Sequence, residues 1–321
     1  MTLLSKALPL LAAAAIAPAS LADTVLIGTQ FRSILAYDTD TGGVTFLGVC
    51  AGPVHSMAAI GTTLYLGDDF GSVYGFDLDT NLLTGAFPIS VDAAAMTTDG
   101  QWLYVADTDG EIQKVDPATG AVVASVDTGF FSLTSLAVHW GHIYHGGLST
   151  IAERASLHDD FSADAFQWFT ACGSQINSMA FAGLEVMLGG IDGRIYRYDE
   201  TIGAANGYYQ TPVDSVAMVA LTGNRALIAD SNGRLIETDR TTGAILRDIH
   251  VGEPIGAMLG LDVGAACPVD LDLSGTLDLG DVQLFIRLVL QDRLGADLNN
   301  DGVIDIADLN RFVSDFLTGC N

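Results

Sequence analysis

Two stretches near the C-terminus carry oxygen-bearing side chains at a spacing that suits a hard divalent cation. The first is a twelve-residue loop with Asp270, Asp272, Ser274, Thr276, Asp278 and Asp281 at positions 1, 3, 5, 7, 9 and 12. The second starts 27 residues later and places Asp297, Asn299, Asp301, Val303, Asp305 and Asp308 at the same positions. Calcium takes roughly six to eight oxygens, and alternate residues of a tight loop supply them. Position 7 offers its backbone carbonyl, from Thr276 and Val303, and Gly275 and Gly302 at position 6 allow the sharp turn. Two Ca2+ are therefore expected. The apolar residues at position 8, Leu277 and Ile304, are expected to pair the loops.

Other residues of chemical interest are scattered along the chain. Cys50 and Cys172 each stand seven residues before a methionine (Met57, Met179) in a small-residue strand. They form either a disulfide across the molecule or two buried thiols that behave as small hydrophobes. His55, Thr134 and Asn177 open such strands and are candidate ligand contacts. The three-residue spacing of His139, His142 and His145 fits a loop plus strand better than a metal cage. Asp68, Asp107 and Asp230 recur at one repeat position, which points to a turn role. Trp102, Trp140 and Trp168 are read as packing residues. There is no G-x-S-x-G elbow and no H-E-x-x-H. No carboxylate pair suited to glycoside chemistry stands out by spacing among the 39 acidic residues.

The elements that must hold these residues are short strands. VLIGT at 25, LYLGD at 64, LYVAD at 103, IYHGG at 143, VMLGG at 186 and ALIAD at 226 recur at spacings of 39, 39, 40, 43 and 40. A D-x-x-T or D-x-x-T-G turn follows most copies, as in ILAYDTDTGGV and LIETDRTTGAI. Seven residues before the last five copies stand Met57, Met96, Leu136, Met179 and Val219. Four short strands in about 40 residues is the period of a propeller blade. The array begins with a second strand at Val25 and ends with a spare inner strand, IGAMLGL, around Met258. Pairing the spare strand with the N-terminal strands completes a sixth blade and hides the open edges. Two helices are expected after the twelve-residue loops. Their buried stripes are Val282, Phe285, Ile286, Val289 and Leu290, then Leu309, Phe312, Val313, Phe316 and Leu317.

The repeat over residues 23–263 resembles the quinoprotein and YVTN propeller families. Residues 267–321 resemble a dockerin module: a duplicated EF-hand-like calcium loop, each copy followed by one helix, with Asp at position 12. Cys267-Pro268 at its start and Gly319-Cys320 at its end resemble the GC-type dockerins of exported proteins, and a Cys267–Cys320 disulfide is expected there. It would close a loop worth about 4 kcal/mol in the chain-entropy model. The resemblance implies a cohesin-like or other envelope receptor as partner. Loop positions 10 and 11 (Leu279-Gly280 and Ile306-Ala307) depart from the hydroxyl-bearing pattern of cellulosomal dockerins.

The composition sets the setting. Residues 1–22 read as a Sec-type signal peptide, with Lys6, an apolar run at 7–17 and Ser20-Leu21-Ala22 before the cut. The expected product is secreted, extracellular or held in the cell envelope. A net charge of −26 repels phosphate backbones, which excludes nucleic acid as partner. No later run approaches the ~20 apolar residues of a membrane span. The expected architecture is mainly β: a six-bladed propeller (23–263), a short linker (264–266) and a small α-helical dockerin-like domain (267–321). The expected role is a propeller binding platform for a carbohydrate or protein, attached by its calcium module. The enzymatic alternative is a propeller that acts on a polysaccharide or a lactone.

Overall fold

The computed structural model describes residues 24–157, 161–200, 203–261, 269–271, 276–290, 294–298 and 303–319. Among them, strands form six four-stranded antiparallel sheets, the blades of a propeller. Blade 1 combines both ends of the array, with inner strand Ile255–Leu261 followed outward by Thr24–Thr29, Ser33–Asp38 and Val44–Val49. The inner strands of blades 2 to 6 are Ser56–Ile60, Ala95–Thr98, Leu133–His139, Ile176–Ala182 and Ala217–Leu221. Each inner strand touches the next around the ring, and the last touches the first. In blade 1, Met258 lies opposite Ile27 and Ala257 opposite Gly28. That seam covers the edge that Val25 and its neighbours would otherwise expose.

Second strands are flanked on both edges and both faces, so nearly every side chain is buried, as in VLIGT and VMLGG. Outer strands have a free edge and turn Phe46, Leu82, Val122 and Ile245 to solvent. The apolar core is divided into six clusters, one at each seam between blades. Three consecutive seams add buried ionic ties. Between blades 6 and 1, Tyr37 donates to Glu237 at 3.1 Å, and Arg247 reaches the carbonyls of Thr39 and Asp40. Arg225 pairs with the same Glu237 at 2.8 Å. Between blades 4 and 5, Tyr144 and Arg154 converge on Glu200, which is fully buried. Between blades 5 and 6, Arg240 stands 3.7 Å from Glu185.

All inner strands run the same way, so the propeller has an upper face where they begin and a lower face where they end. The lower hairpins are the D-x-x-T-G turns. Asp38 accepts from the N–H groups of Asp40 and Thr41, and Asp239 from those of Thr241 and Thr242. These donors hold both carboxyls below the usual range. Gly42 and Gly243 then take φ of 74° and 71°. In blade 2 the same place falls to Asn81, at φ 56°. The upper hairpins use a second Asp. Asp68 accepts from Phe70 and Ser72, Asp107 from Asp109 and Glu111, and Asp230 from Asn232 and Arg234.

Beyond the propeller lie two helices, α1 (Leu279–Leu290) and α2 (Ile306–Thr318). Phe285 and Phe312 stack at 4.2 Å between them. Each helix departs in part from the stripe expected in the sequence, although Val282, Phe285, Phe312 and Phe316 of those stripes do pack in the shared cluster. α1 buries Leu284, Phe285 and Leu288, while Ile286, Val289 and Leu290 are exposed. α2 buries Phe312, while Leu309, Val313 and Leu317 are exposed. The physical reason is a second surface. Trp140 and Leu184, on lower hairpins of blades 4 and 5, pack into the same cluster and draw the Leu284/Leu288 side inward.

Candidate functional site

The strand register stacks the inner strands into rings of six around the axis. The uppermost ring holds His55, Ala94, Thr134, Asn177, Val216 and Gly256. Two layers down come Met57, Met96, Leu136, Met179, Met218 and Met258. Five of the chain's seven methionines therefore sit at one level. Each of the six lies opposite the third residue of its blade's VLIGT-type motif, such as Leu66, Val105, His145 and Ile228. The sixth-blade member is Met218, not Val219 as the count from the sequence places it. Its hairpin, Thr222-Gly223-Asn224, is one residue longer than Gly61-Thr62 in blade 2, so the offset shifts by one.

This ring lines both of the cavities on the axis and so divides them. Above it is a small vestibule of about 90 Å³, and below it a chamber of about 760 Å³. The chamber is lined by Ala, Val, Leu, Phe and Thr, with Asp79 as the carboxylate among its lining residues. A largely apolar lining of this kind can hold an apolar ligand group. Methionine is unbranched and adaptable, so this neck is lined by side chains that can repack.

His55, Thr134 and Asn177 meet at the vestibule, one each from blades 2, 4 and 5. Thr134 also donates to the Ile176 carbonyl, which ties blades 4 and 5. His55 stands 3.8 Å from the Asp69 carboxylate. Cys50 and Cys172 are not brought together: both are free thiols. Cys50 packs in the seam between blades 1 and 2, and Cys172 between blades 4 and 5, on opposite sides of the ring. Cys172 donates to the Ser174 carbonyl at 2.8 Å, and burial raises both thiols. The bridge is replaced by the second reading, two thiols packed as small hydrophobes.

The three histidines serve packing. His139 stacks on Phe181 at 4.5 Å and on Trp140 at 4.2 Å. His145 is buried between Phe130 and Phe166, and burial lowers its pKa to about 4. Trp102 is covered by Lys114, Trp140 meets the helical module, and Trp168 is exposed.

In the helical module, Asp270, Asp281, Asp297 and Asp308, at positions 1 and 12 of both loops, are buried. Asp281 accepts from Leu271 N–H at 2.8 Å and from Asp278 N–H at 3.0 Å. Asp308 accepts from Asp305 N–H at 2.9 Å, and Asp305 caps Ala307. Positions 9 and 12 thus also form a capping box at the start of α2, and at the start of α1 Asp281 accepts from Asp278 N–H while Asp278 accepts from Gly280 N–H, a D-x-x-D signal that the sequence reading passed over. Asp272, Ser274, Asn299, Asp301, Cys267, Cys320, the linker 264–266 and the leader 1–22 lie outside the described residues. Among the described residues no group of three or more His, Cys, Asp or Glu is arranged to hold a metal ion, and no helix is long and apolar enough to cross a membrane.

Several solved structures share the propeller fold. A chain in the crystal structure of a nidogen/laminin complex matches with a TM-score of 0.64 at 11% identity, over 73% of this chain and 97% of that one. The WD40 repeats of RRP9 match with a TM-score of 0.56 at 11% identity, over 73% and 79%. U3-55K matches with a TM-score of 0.54 at 12% identity, over 73% and 80%. No curated protein matches the chain. The family model described as outer membrane protein assembly factor BamB matches residues 90–265, from the approach to blade 3 through the closing inner strand. With more than half of its length in that match and a quinoprotein-type repeat throughout its blades, the chain belongs to the outer membrane protein assembly factor BamB family.

Proposed function

We propose that this is an exported, calcium-binding assembly protein. Its dockerin-like C-terminal module attaches to an envelope or extracellular receptor of cohesin-like type and presents the propeller as a binding platform. The observation that carries this is the set of four buried aspartates, Asp270, Asp281, Asp297 and Asp308, in a module of two short helices. These four stand at positions 1 and 12 of the twin twelve-residue loops, where a calcium loop places ligand oxygens. Calcium would bind there, with Asp272, Ser274, Asn299 and Asp301 completing the oxygen sets. A Cys267–Cys320 bridge would close the module around them.

The propeller's family supports a platform rather than an enzyme, as does a chamber whose lining offers the single carboxylate of Asp79. The test is chelation of the full chain with EGTA and a reductant, followed by circular dichroism. Loss of the helical signal with the β signal retained is expected. A helical signal that survives both reagents would count against calcium as the module's support.

A further inference from the structure

The two faces of the propeller differ in what their loops expose. Phe31, Phe70 and Phe131 are 66%, 77% and 81% exposed, and Leu148 and Ile191 are nearly half exposed. All five sit in loops of the upper face: the hairpins between second and third strands, and the connection into blade 4. Among the described residues, no large apolar side chain in a lower-face hairpin is exposed to that degree. Single exposed hydrophobes are ordinary. Five in the loops of one face and none in the described hairpin loops of the other, where the exposed Leu82, Val122 and Ile245 belong to the outer strands that follow, is an asymmetry that folding does not require, because the five loop side chains contribute nothing to the six seam clusters.

The loops around the three phenylalanines are also held by hydrogen bonds. The Phe70 N–H is held by Asp68 at 3.0 Å, and Gly71 follows at φ 78°. Around Phe31, Thr29 accepts from Ser33 N–H at 3.0 Å. Beside Phe131, Ser132 N–H donates to the Thr108 carbonyl at 2.7 Å. Apolar groups on pre-ordered hairpins bind without an ordering cost. Between them the surface is acidic: Asp69, Asp92, Asp109, Asp127 and Asp214 are exposed. Arg32 is the exposed arginine of these loops, and the chain as a whole carries −26. The helical module packs on the opposite, lower face through Trp140 and Leu184.

We infer that the upper face is a docking surface for a protein segment that carries apolar anchors among lysines or arginines. This rests on the platform reading above and names its partner's chemistry. The apolar loop tips supply anchoring, and the aspartates select a cationic partner and speed its approach. A membrane is the poorer fit, since the five exposed carboxylates of this face would be repelled by anionic headgroups.

The test uses the full chain with three fluorescent peptides that alternate leucine with lysine, glutamate or serine, and with phosphatidylcholine vesicles. The leucine–lysine peptide is expected to bind, more tightly at low salt, and the leucine–glutamate peptide is not. The triple variant Phe31→Ser, Phe70→Ser, Phe131→Ser is expected to weaken that binding tenfold or more with its circular dichroism unchanged. Equal binding by the variant would place the peptide elsewhere, which overturns the face but leaves the platform. Vesicle binding that the variant loses would overturn the protein-docking assignment in favour of lipid. Failure of all three peptides to bind would overturn both the face and the platform.

Discussion

One carboxylate oxygen closes each of the upper hairpins at Asp68, Asp107 and Asp230, and their recurrence was enough to read that role from the sequence. His145 is the opposite case. Nothing in WGHIYHGG announces a histidine that is 1% exposed, with Nε2 3.7 Å from Glu153 and no hydrogen-bond partner among the described residues. Its folded pKa of about 4 lies below the unfolded value near 6.5. The unfolded chain therefore binds the proton first as pH falls, and stability is lost from about pH 6.5 down to about pH 4. The full loss is on the order of 3 kcal/mol. Burial raises Glu153, which works in the opposite sense and offsets part of this. His145→Leu should flatten or invert the acid slope of denaturant-measured stability. An unchanged slope would remove His145 from the account. Burial of this kind depends on Phe130 and Phe166, which come from loops on either side of the blade, so no local pattern encodes it.

At the scale of elements, the period-40 repeat made the blades legible, and the D-x-x-T-G turns marked where each chain reversal falls. The axial ring was legible except in blade 6, where one extra hairpin residue moved the position from Val219 to Met218. The helix stripes misled because a periodicity read on an isolated helix knows nothing of Trp140 and Leu184 on the propeller. Close backbone approaches were equally invisible. Gly256, in the closing inner strand, has the Val54 carbonyl 1.8 Å from where a Cβ would stand. Gly256→Ala is expected to destabilise by more than about 2 kcal/mol, a fall in Tm of about 4 °C or more. Gly85→Ala, in the outer strand of blade 2 with open space around it, is the control and should be near neutral. Equal melting of the two variants would mean that the seam at Val54 is looser than described.

At the scale of the molecule, the arrangement separates two tasks. Gly295 of the helical module lies so close to Trp140 that a Cβ there would stand 2.4 Å from the indole. α1 also shares a cleft of about 350 Å³ with Leu184, Glu185 and Arg197. The module thus holds the lower face over blades 4 and 5, and the upper face with its apolar loops is left open. Three adjacent seams, from blade 4 round to blade 1, carry the ionic ties through Glu200, Glu185 and Glu237. These include the seam that joins the two ends of the array. Attachment at one end and presentation at the other is the logic of the proposed platform, and it depends on calcium in the twin loops. Titration calorimetry of the full chain tests that dependence most directly. The account expects uptake of two Ca2+ per chain, lost at one site in Asp281→Ala and at the other in Asp308→Ala. No uptake at millimolar Ca2+ would contradict it.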